Sequence, residues 1–180
     1  MIQPLKRRVI ILKDTTSLTL DGRTITIRPI RSTDIAMEAN FVRRLSPLTK
    51  HYRFFGMISE LPDEQVRKFC EVDGDQSMAY VATLREGERE VEVGVCRYVP
   101  AAKSDAREMA VTIADEWQHS GLARILAQPL IGSAKRHGVR ELFAVELSDN
   151  HAMAKFAAEL GMQTARDPAD ATQVIYSLAL

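Results

Sequence analysis

The sequence contains few cysteines, few aromatic residues and no long hydrophobic run. Its 180 residues include two cysteines, Cys70 and Cys96, which show no metal-ligand spacing. A chain of this length can build its own core, so we expect no disulfide, no metal site and a cytoplasmic location. The apolar residues 9–12 follow a basic cluster as in a signal peptide, but Lys13 and Asp14 end the run. We therefore expect neither a targeting segment nor a membrane partner.

An excess of one charge is also missing. Lys and Arg together number 24, and so do Asp and Glu. The chain therefore has no net positive field that would favour nucleic acid as a partner. Hydrophobic residues make up 46% and charged residues 27% of the sequence, which is typical of a globular domain. The function must be inferred from individual sites.

The start of the chain is predicted to differ from the rest. We expect an N-terminal arm and first strand over residues 1–22 and the main domain over residues 23–180. Residues 9–12 (VIIL) either add an edge strand or pack on a partner, which leaves a homodimer open. The dipeptide Asp21-Gly22 favours a tight hairpin turn between two strands.

The hydrophobic pattern predicts alternating groups of strands and helices. Strands are expected at 16–20, 24–30, 78–84, 91–99, 108–113, 142–147, 162–165 and 173–180; helices are expected after a Ser32 or Thr33 cap, over 48–55, from 61, over 122–138 and from 150. The hairpin strands 78–84 and 91–99 should both neighbour the strand 108–113. The aromatic residues Tyr52, Phe54 and Phe55 are expected in the core.

One stretch, residues 115–124 (DEWQHSGLAR), joins an alternating strand to the long helical pattern. A strand that turns directly into a helix leaves the first main-chain N–H groups unpaired, and with the aligned peptide dipoles they favour a phosphate. Gly121 and Ala123 carry no bulky side chain that would block its approach. The pattern Q-x-x-G-x-A from Gln118 therefore predicts a pyrophosphate cradle. The alternative is a helix start that happens to contain a glycine.

With this cradle and the segment 150–162 (NHAMAKFAAELGM) in place, the sequence resembles the GCN5-related N-acetyltransferase (GNAT) superfamily over about residues 23–180. The segments RPI at 28–30 and RLSPLTKHYRFFG at 44–56, with Glu108 ahead of AVTIADEWQ, are more specific. They are similar to the acetyltransferase domain of bacterial protein lysine acetyltransferases that modify acyl-CoA synthetases.

The resemblance implies an α/β fold of the α+β type, in which helices flank a mixed, mostly antiparallel sheet with splayed central strands. It also implies acetyl-CoA as cosubstrate and no metal. The pantetheine amides would pair with the strand backbone, the pyrophosphate would bind the cradle, and the helix from 150 would line the other wall beside the thioester. The cofactor-binding residues implied are Val111, Ile113, Gln118, His119, Ser120, Gly121, Leu122, Ala123, Arg124, Asn150 and Phe156.

Acetyl transfer to a lysine requires an uncharged amine, and deprotonating an amine of pKa about 10.4 at pH 7 costs roughly 4.6 kcal/mol. In the resembling enzymes a matching glutamate acts as general base, directly or through water, so Glu108 is the implied catalytic residue. Asp115 and Glu116 are competing carboxylates, although both are better placed to act on the helix N-terminus. Many superfamily members use a tyrosine to protonate the departing CoA thiolate, and Ala157 stands at that position here.

The sequence thus predicts an acetyl-CoA-dependent N-acetyltransferase, with a protein lysine slightly preferred to a small amine as acceptor. Two alternatives remain open. One is a non-catalytic acyl-CoA-binding regulatory module, which Ala157 favours. The other is a small-molecule amine acetyltransferase, which would require an acidic acceptor pocket.

Overall fold

The structure is a computed structural model that describes residues 10–12, 15–101 and 105–180. A mixed sheet of nine strands forms the centre of this described part, and five α-helices pack around it. The strands are β1 (Ile10–Leu12), β2 (Thr15–Leu20), β3 (Arg23–Pro29), β4 (Met78–Glu86), β5 (Arg89–Pro100), β6 (Arg107–Ile113), β7 (Glu141–Leu147), β8 (Gln163–Arg166) and β9 (Gln173–Ala179). The helices are α1 (Ile35–Arg44), α2 (Pro47–Phe54), α3 (Asp63–Cys70), α4 (Leu122–Arg136) and α5 (His151–Leu160).

The strand order is β1-β2-β3-β4-β5-β6-β7-β9-β8. All neighbouring strands in the described sheet are antiparallel except β6 and β7, which run parallel. That parallel ladder consists of two pairs, Arg107 with Leu142 and Glu108 with Phe143. Beyond Glu108 the two strands separate, which confirms the expected mostly antiparallel sheet with splayed central strands.

The prediction that both hairpin strands neighbour β6 is wrong for one of them. Strand β5 pairs with β6, whereas β4 lies between β3 and β5. A strand has two edges, and both edges of β4 are occupied by other strands. At the N-terminus, β1 adds an antiparallel edge strand to β2, while residues 1–9 and 13–14 of the expected arm lie outside the described residues.

Helices cover both faces of the sheet because β5 presents alternate residues to each side. On one face, Gly94 lies against α4 so closely that an added Cβ would come within 2.7 Å of Ile113 Cδ1 and 3.4 Å of Leu126 Cδ2. On the other face, the Arg97 guanidinium reaches into the layer of α1 and donates to Glu38 Oε1 at 2.8 Å. Strand β5, which pairs with β6 over the whole length of β6, is therefore packed on both faces.

The predicted cap at Ser32 or Thr33 is wrong. A 3-10 turn over Ser32–Asp34 precedes α1, and no side chain caps the helix. Asp34 instead forms a buried ion pair with Arg28, with 2.7 Å between Nη1 and Oδ2. Asp34 Oδ2 also accepts a hydrogen bond from the Arg31 N–H at 2.8 Å, so this carboxylate fixes the turn before α1 and gives Arg28 of the RPI segment a structural role.

Candidate active site

A cavity of about 580 Å³ opens where β6 and β7 separate, and this volume suits a small-molecule ligand. Helix α2, the cradle segment 115–124 and helix α5 form its other walls. All eleven residues predicted to bind the cofactor line this cavity: Val111, Ile113, Gln118, His119, Ser120, Gly121, Leu122, Ala123, Arg124, Asn150 and Phe156. Residues from separate parts of the sequence therefore meet at one site.

The cradle has more internal structure than the sequence predicted. A 3-10 turn over Asp115–Trp117 separates the strand from the helix, and α4 begins at Leu122. His119 (φ 60°) and Gly121 (φ 83°) adopt left-handed backbone conformations within this connection. When residues in left-handed and right-handed conformations alternate, successive N–H groups point toward one side, as in other anion-binding loops.

Only part of the cradle backbone is free to bind a ligand. The N–H of Gln118 donates to the Asp115 carbonyl at 3.3 Å, and the N–H of Leu122 donates to Ser120 Oγ at 3.3 Å. The N–H groups of Gly121, Ala123 and Arg124 have no acceptor in the described part of the chain. The expectation that the whole stretch 118–124 offers free donors is therefore too broad.

Cationic side chains surround the same end of the cavity. Arg124 and Lys155 line it and are exposed, and neither forms an ion pair within residues 10–12, 15–101 and 105–180. His119 and His151 are exposed lining residues as well. A ligand with several phosphates would find both unpaired N–H donors and unpaired cations here.

The gap also leaves a strand edge without a partner. Because β6 pairs with β7 only as far as Glu108, the backbone around Val111 on that side has no ladder partner in the described sheet. The Ile113 carbonyl, by contrast, accepts a hydrogen bond from Gln118 Nε2 at 3.2 Å, and the same amide donates to Thr49 Oγ1 at 3.1 Å. A ligand that paired with Ile113 through this carbonyl would have to displace the Gln118 side chain.

Asp115 holds α2 rather than the cradle helix. Its carboxylate accepts hydrogen bonds from the Ser46 N–H (2.9 Å), the Ser46 hydroxyl (2.6 Å) and the Thr49 hydroxyl (2.7 Å). Burial alone would raise the pKa of Asp115, but these hydrogen bonds hold it below its ordinary value. Asp115 is therefore an ionised anchor for the α2 wall and not a base.

The prediction that Tyr52, Phe54 and Phe55 belong to the core is wrong for two of them. Tyr52 lines the cavity together with its neighbour Arg53, and Phe55 is 45% exposed in a left-handed conformation at the end of α2. Phe54 alone packs against the core. Tyr52 differs because α2 turns one face toward the open cavity, and Phe55 differs because it is the left-handed residue that ends the helix.

The opposite wall is built on Asn150, which caps α5. Asn150 Oδ1 accepts a hydrogen bond from the Met153 N–H at 3.1 Å, and its Nδ2 donates to Glu146 Oε2 at 3.0 Å. Phe156 and Ala157 are buried at 5% and 1% exposure. No side-chain hydroxyl therefore comes from position 157.

Glu146 is a cavity residue that the sequence analysis missed. Burial raises its pKa to about 7, although the Asn150 hydrogen bond and the charge of Arg53 act in the opposite direction. A sequence signal existed, because Glu146 follows the buried residues Leu142 and Ala144 at period two. Glu146 therefore lies on the same face of β7 as these buried residues, at the point where that face borders the cavity.

Glu108, the predicted general base, does not belong to the cavity lining. It is exposed and occupies the last β6–β7 ladder pair, directly before the strands separate. Its field reaches Arg53 on the cavity wall. Burial, and after it the charge of Arg97, lower the pKa of Arg53 to about 10, while the charges of Glu38, Glu146 and Glu108 oppose the shift. Glu108 thus lies at the mouth of the gap.

The described residues show neither a metal centre nor a membrane-spanning helix. The described residues contain no group of three or more His, Cys, Asp or Glu side chains arranged to hold a metal ion. None of the helices in the described ranges is long and apolar enough to cross a membrane.

Comparison with known proteins agrees with this geometry. A family model described as an acetyltransferase (GNAT) domain matches residues 24–163. An acetyltransferase of Pseudomonas aeruginosa is 42% identical over 160 residues, which are 89% of this chain and 86% of the relative. The chain is thus similar to a protein of nearly the same extent.

Solved structures show the same fold. The GNAT domain of S. lividans PAT superposes with a TM-score of 0.82 at 26% identity, covering 92% of this chain and 97% of that domain. A cAMP-binding acyltransferase from Mycobacterium smegmatis superposes with a TM-score of 0.60 at 23% identity, and the match covers 96% of this chain but 47% of that protein. From the family match, the relative and the shared architecture, we conclude that the chain belongs to the GNAT acetyltransferase family.

Proposed function

We propose that the protein is an acetyl-CoA-dependent N-acetyltransferase that transfers acetyl to a primary amine by direct attack on the thioester, with a protein lysine as preferred acceptor. Residues 23–180 form its catalytic domain and residues 1–22 an arm with the first strand. The observation that carries the proposal is the convergence of the unpaired cradle donors, the open edge of β6 and the Asn150 wall in one cavity. The preference for a protein lysine rests on segments 28–30 and 44–56, which resemble the acetyltransferase domain of bacterial protein lysine acetyltransferases.

The residues present suit the chemistry of CoA. The N–H groups of Gly121, Ala123 and Arg124, together with the Arg124 side chain, bind the pyrophosphate at the N-terminus of α4. The exposed backbone of Val111 pairs with a pantetheine amide as a neighbouring strand would. Asn150 and Phe156 position the acyl end against β7. Bound acetyl-CoA supplies the activated acyl group.

Glu108 acts as the general base for the amine. Its position at the last ladder pair places the carboxylate at the mouth of the gap and outside the cavity lining, so the proton passes to it through water. The acceptor then enters from the side of α2, past Tyr52 and Arg53.

The test is an acceptor screen that follows release of CoA thiol in the presence of a lysine-containing protein, a lysine peptide and a small polyamine. We expect turnover with the protein or peptide acceptor above turnover with the polyamine. Faster transfer to the polyamine would overturn the lysine preference. Saturable acetyl-CoA binding without transfer to any amine would instead support the non-catalytic binding module that Ala157 favours.

A further inference from the structure

A thioester that loses its acyl group leaves a thiolate, which benefits from a nearby proton donor. Ionisable side chains line the cavity on several elements, but most of them are open to solvent. Asp149, His151, Lys155 and Glu159 on and beside α5 are exposed, and Asp115 is bound to α2. A proton donor shielded from solvent therefore belongs to the less exposed groups of the walls.

Three ionisable lining residues are partly buried: Tyr52, Arg53 and Glu146. Arg53 is a poor acid because its pKa remains about 10. The Tyr52 hydroxyl donates to the Asp149 carbonyl at 3.4 Å on the α2 side of the cavity. Glu146 lies on the opposite wall beside Asn150 and Phe156, the residues proposed above to position the acyl end.

The contacts of Glu146 leave one carboxyl oxygen available. Asn150 Nδ2 donates to Oε2 at 3.0 Å, and Asn150 is itself fixed by the Met153 N–H. Within the described part of the chain, Oε1 has neither a hydrogen-bond partner nor full burial. Because the side chain lines the cavity, Oε1 is the oxygen that can hold a proton toward a bound ligand.

The groups that face Glu146 come from three elements. Asn150 contributes a neutral amide from the start of α5, and Arg53 contributes a positive charge from α2. Burial and the Glu146 charge raise the pKa of Tyr176 on β9 above its ordinary value of 10, so this side chain contributes no charge at physiological pH. Burial outweighs the opposing contacts, so the Glu146 carboxyl is substantially protonated near neutral pH.

We propose that Glu146 is a second catalytic residue, the acid that protonates the departing CoA thiolate; this rests on the function proposed above. The amine nitrogen forms a bond to the acetyl carbon, the carbon–sulfur bond breaks, and its electron pair remains on sulfur. The proton on Glu146 Oε1 moves to that sulfur, while the excess proton of the amine passes through water to Glu108. Both carboxyl groups then return to their starting states by proton exchange with water.

The first test titrates the thiol of CoA bound to the protein by the ultraviolet absorbance of its thiolate. The ionised Glu146 carboxylate disfavours a second negative charge nearby, so the bound thiol should titrate about one pH unit higher in the wild type than in Glu146→Gln. Glu146→Asp retains the carboxyl and should titrate closer to the wild type. Glu108→Gln should leave the titration unchanged.

The second test follows kcat against pH. Glu146→Gln should lower kcat at neutral pH by roughly 100-fold, as expected for loss of a general acid, and should remove the fall of kcat on the alkaline side. Acetyl-CoA affinity measured by calorimetry should stay near that of the wild type. Tyr52→Phe tests Tyr52 as the alternative proton donor. In this variant kcat should still fall on the alkaline side, as in the wild type.

The outcomes separate the two proposals. A wild-type protein that binds no CoA overturns both the function and the role of Glu146. If CoA binds and acetyl is transferred, but Glu146→Gln changes neither the thiol titration nor the alkaline limb, the role of Glu146 alone is overturned. A shift caused by Tyr52→Phe in place of Glu146→Gln would assign the acid to Tyr52. If Glu146→Gln does not fold, Glu146→Asp is used in its place. A changed pH at which kcat falls on the alkaline side would then support the role of Glu146, and an unchanged pH would overturn it.

Discussion

The Asp115 carboxylate accepts hydrogen bonds from both the main-chain N–H and the hydroxyl of Ser46, at 2.9 and 2.6 Å. Asp115 follows the strand β6 and opens the cradle, whereas Ser46 is the N-cap of α2. This contact joins residues 69 positions apart and fixes one cavity wall relative to another. The cradle and α2 therefore depend on each other.

Asp115→Ala should weaken that connection. The variant loses the acceptor for Ser46 and Thr49, so we expect the free energy of unfolding to fall by about 1–2 kcal/mol and the affinity for acetyl-CoA to fall with it. Urea unfolding and calorimetry measure the two effects. Glu116→Ala is the matched control, since Glu116 is exposed and has no side-chain hydrogen bond among the described residues. Equal stability of the two variants would contradict the anchoring role.

Glu108→Gln should lower kcat/KM for amine acetylation by about 100- to 10,000-fold, because no carboxylate remains to take the amine proton. Binding of acetyl-CoA should be unchanged, as Glu108 does not line the cavity. Steady-state kinetics and calorimetry together measure this separation. The matched control is Glu141→Gln, an exposed glutamate on the neighbouring strand β7, which should retain full activity. Unchanged transfer in Glu108→Gln would show that another group is the base.

Glu146 should make stability depend on pH. Its folded pKa of about 7 lies above its ordinary value of 4.5, so the folded state holds a proton that the unfolded chain releases. The stability contribution is complete below pH 4.5 and is lost as pH rises toward 7. At 1.36 kcal/mol per pKa unit, the loss is on the order of 3 kcal/mol.

Glu146→Gln should remove this slope, which urea unfolding at a series of pH values between 4.5 and 8 would measure. Gln keeps an oxygen that can accept the Asn150 hydrogen bond, so the charge change is isolated. Glu159→Gln, an exposed cavity residue, should leave the slope intact. A wild type and Glu146→Gln with parallel pH profiles would be inconsistent with the shifted pKa.

The buried ion pair between Arg97 and Glu38 should be important for stability. Arg97 is 6% and Glu38 1% exposed, and Glu92, which is fully buried nearby, already has its pKa raised by burial and by the Glu38 charge. Arg97→Gln removes the only cation among these three groups and should cost about 3–5 kcal/mol in unfolding free energy. Lys68→Gln breaks the exposed pair with Glu64 and should cost less than about 0.5 kcal/mol. Similar losses in the two variants would contradict this account.

Local signals allowed most of the fold to be predicted. Gly138 and Gly161 adopt left-handed conformations at the ends of α4 and α5, and Asn150 caps α5, as the short-range patterns indicated. Nine of the eleven predicted cofactor residues, between Val111 and Arg124, lie together because strand, turn and helix follow directly in sequence, whereas Asn150 and Phe156 reach the same cavity from α5.

Long-range contacts set the limit of the sequence analysis. The Asp115–Ser46 contact joins residues 69 positions apart and depends on how the chain folds back on itself, so the local role expected for Asp115 at the helix N-terminus was not the one observed. The core position expected for Tyr52 was wrong for the same reason, because α2 lies at the cavity and Tyr52 faces it. The inward position of Glu146, by contrast, could have been predicted, because it follows Leu142 and Ala144 on alternate residues of the same strand.

The most direct measurement is a calorimetric titration of the wild-type protein with acetyl-CoA, beside Gly121→Glu and Gly121→Ala. Both substitutions place a side chain at φ 83°, and an added Cβ has no neighbour within 4 Å, so they share the backbone strain and differ in size and charge. We predict saturable micromolar binding to the wild type, weaker binding to Gly121→Ala and none to Gly121→Glu. Absence of binding to the folded wild type, or equal binding to all three proteins, would contradict the assignment of this cavity to acetyl-CoA.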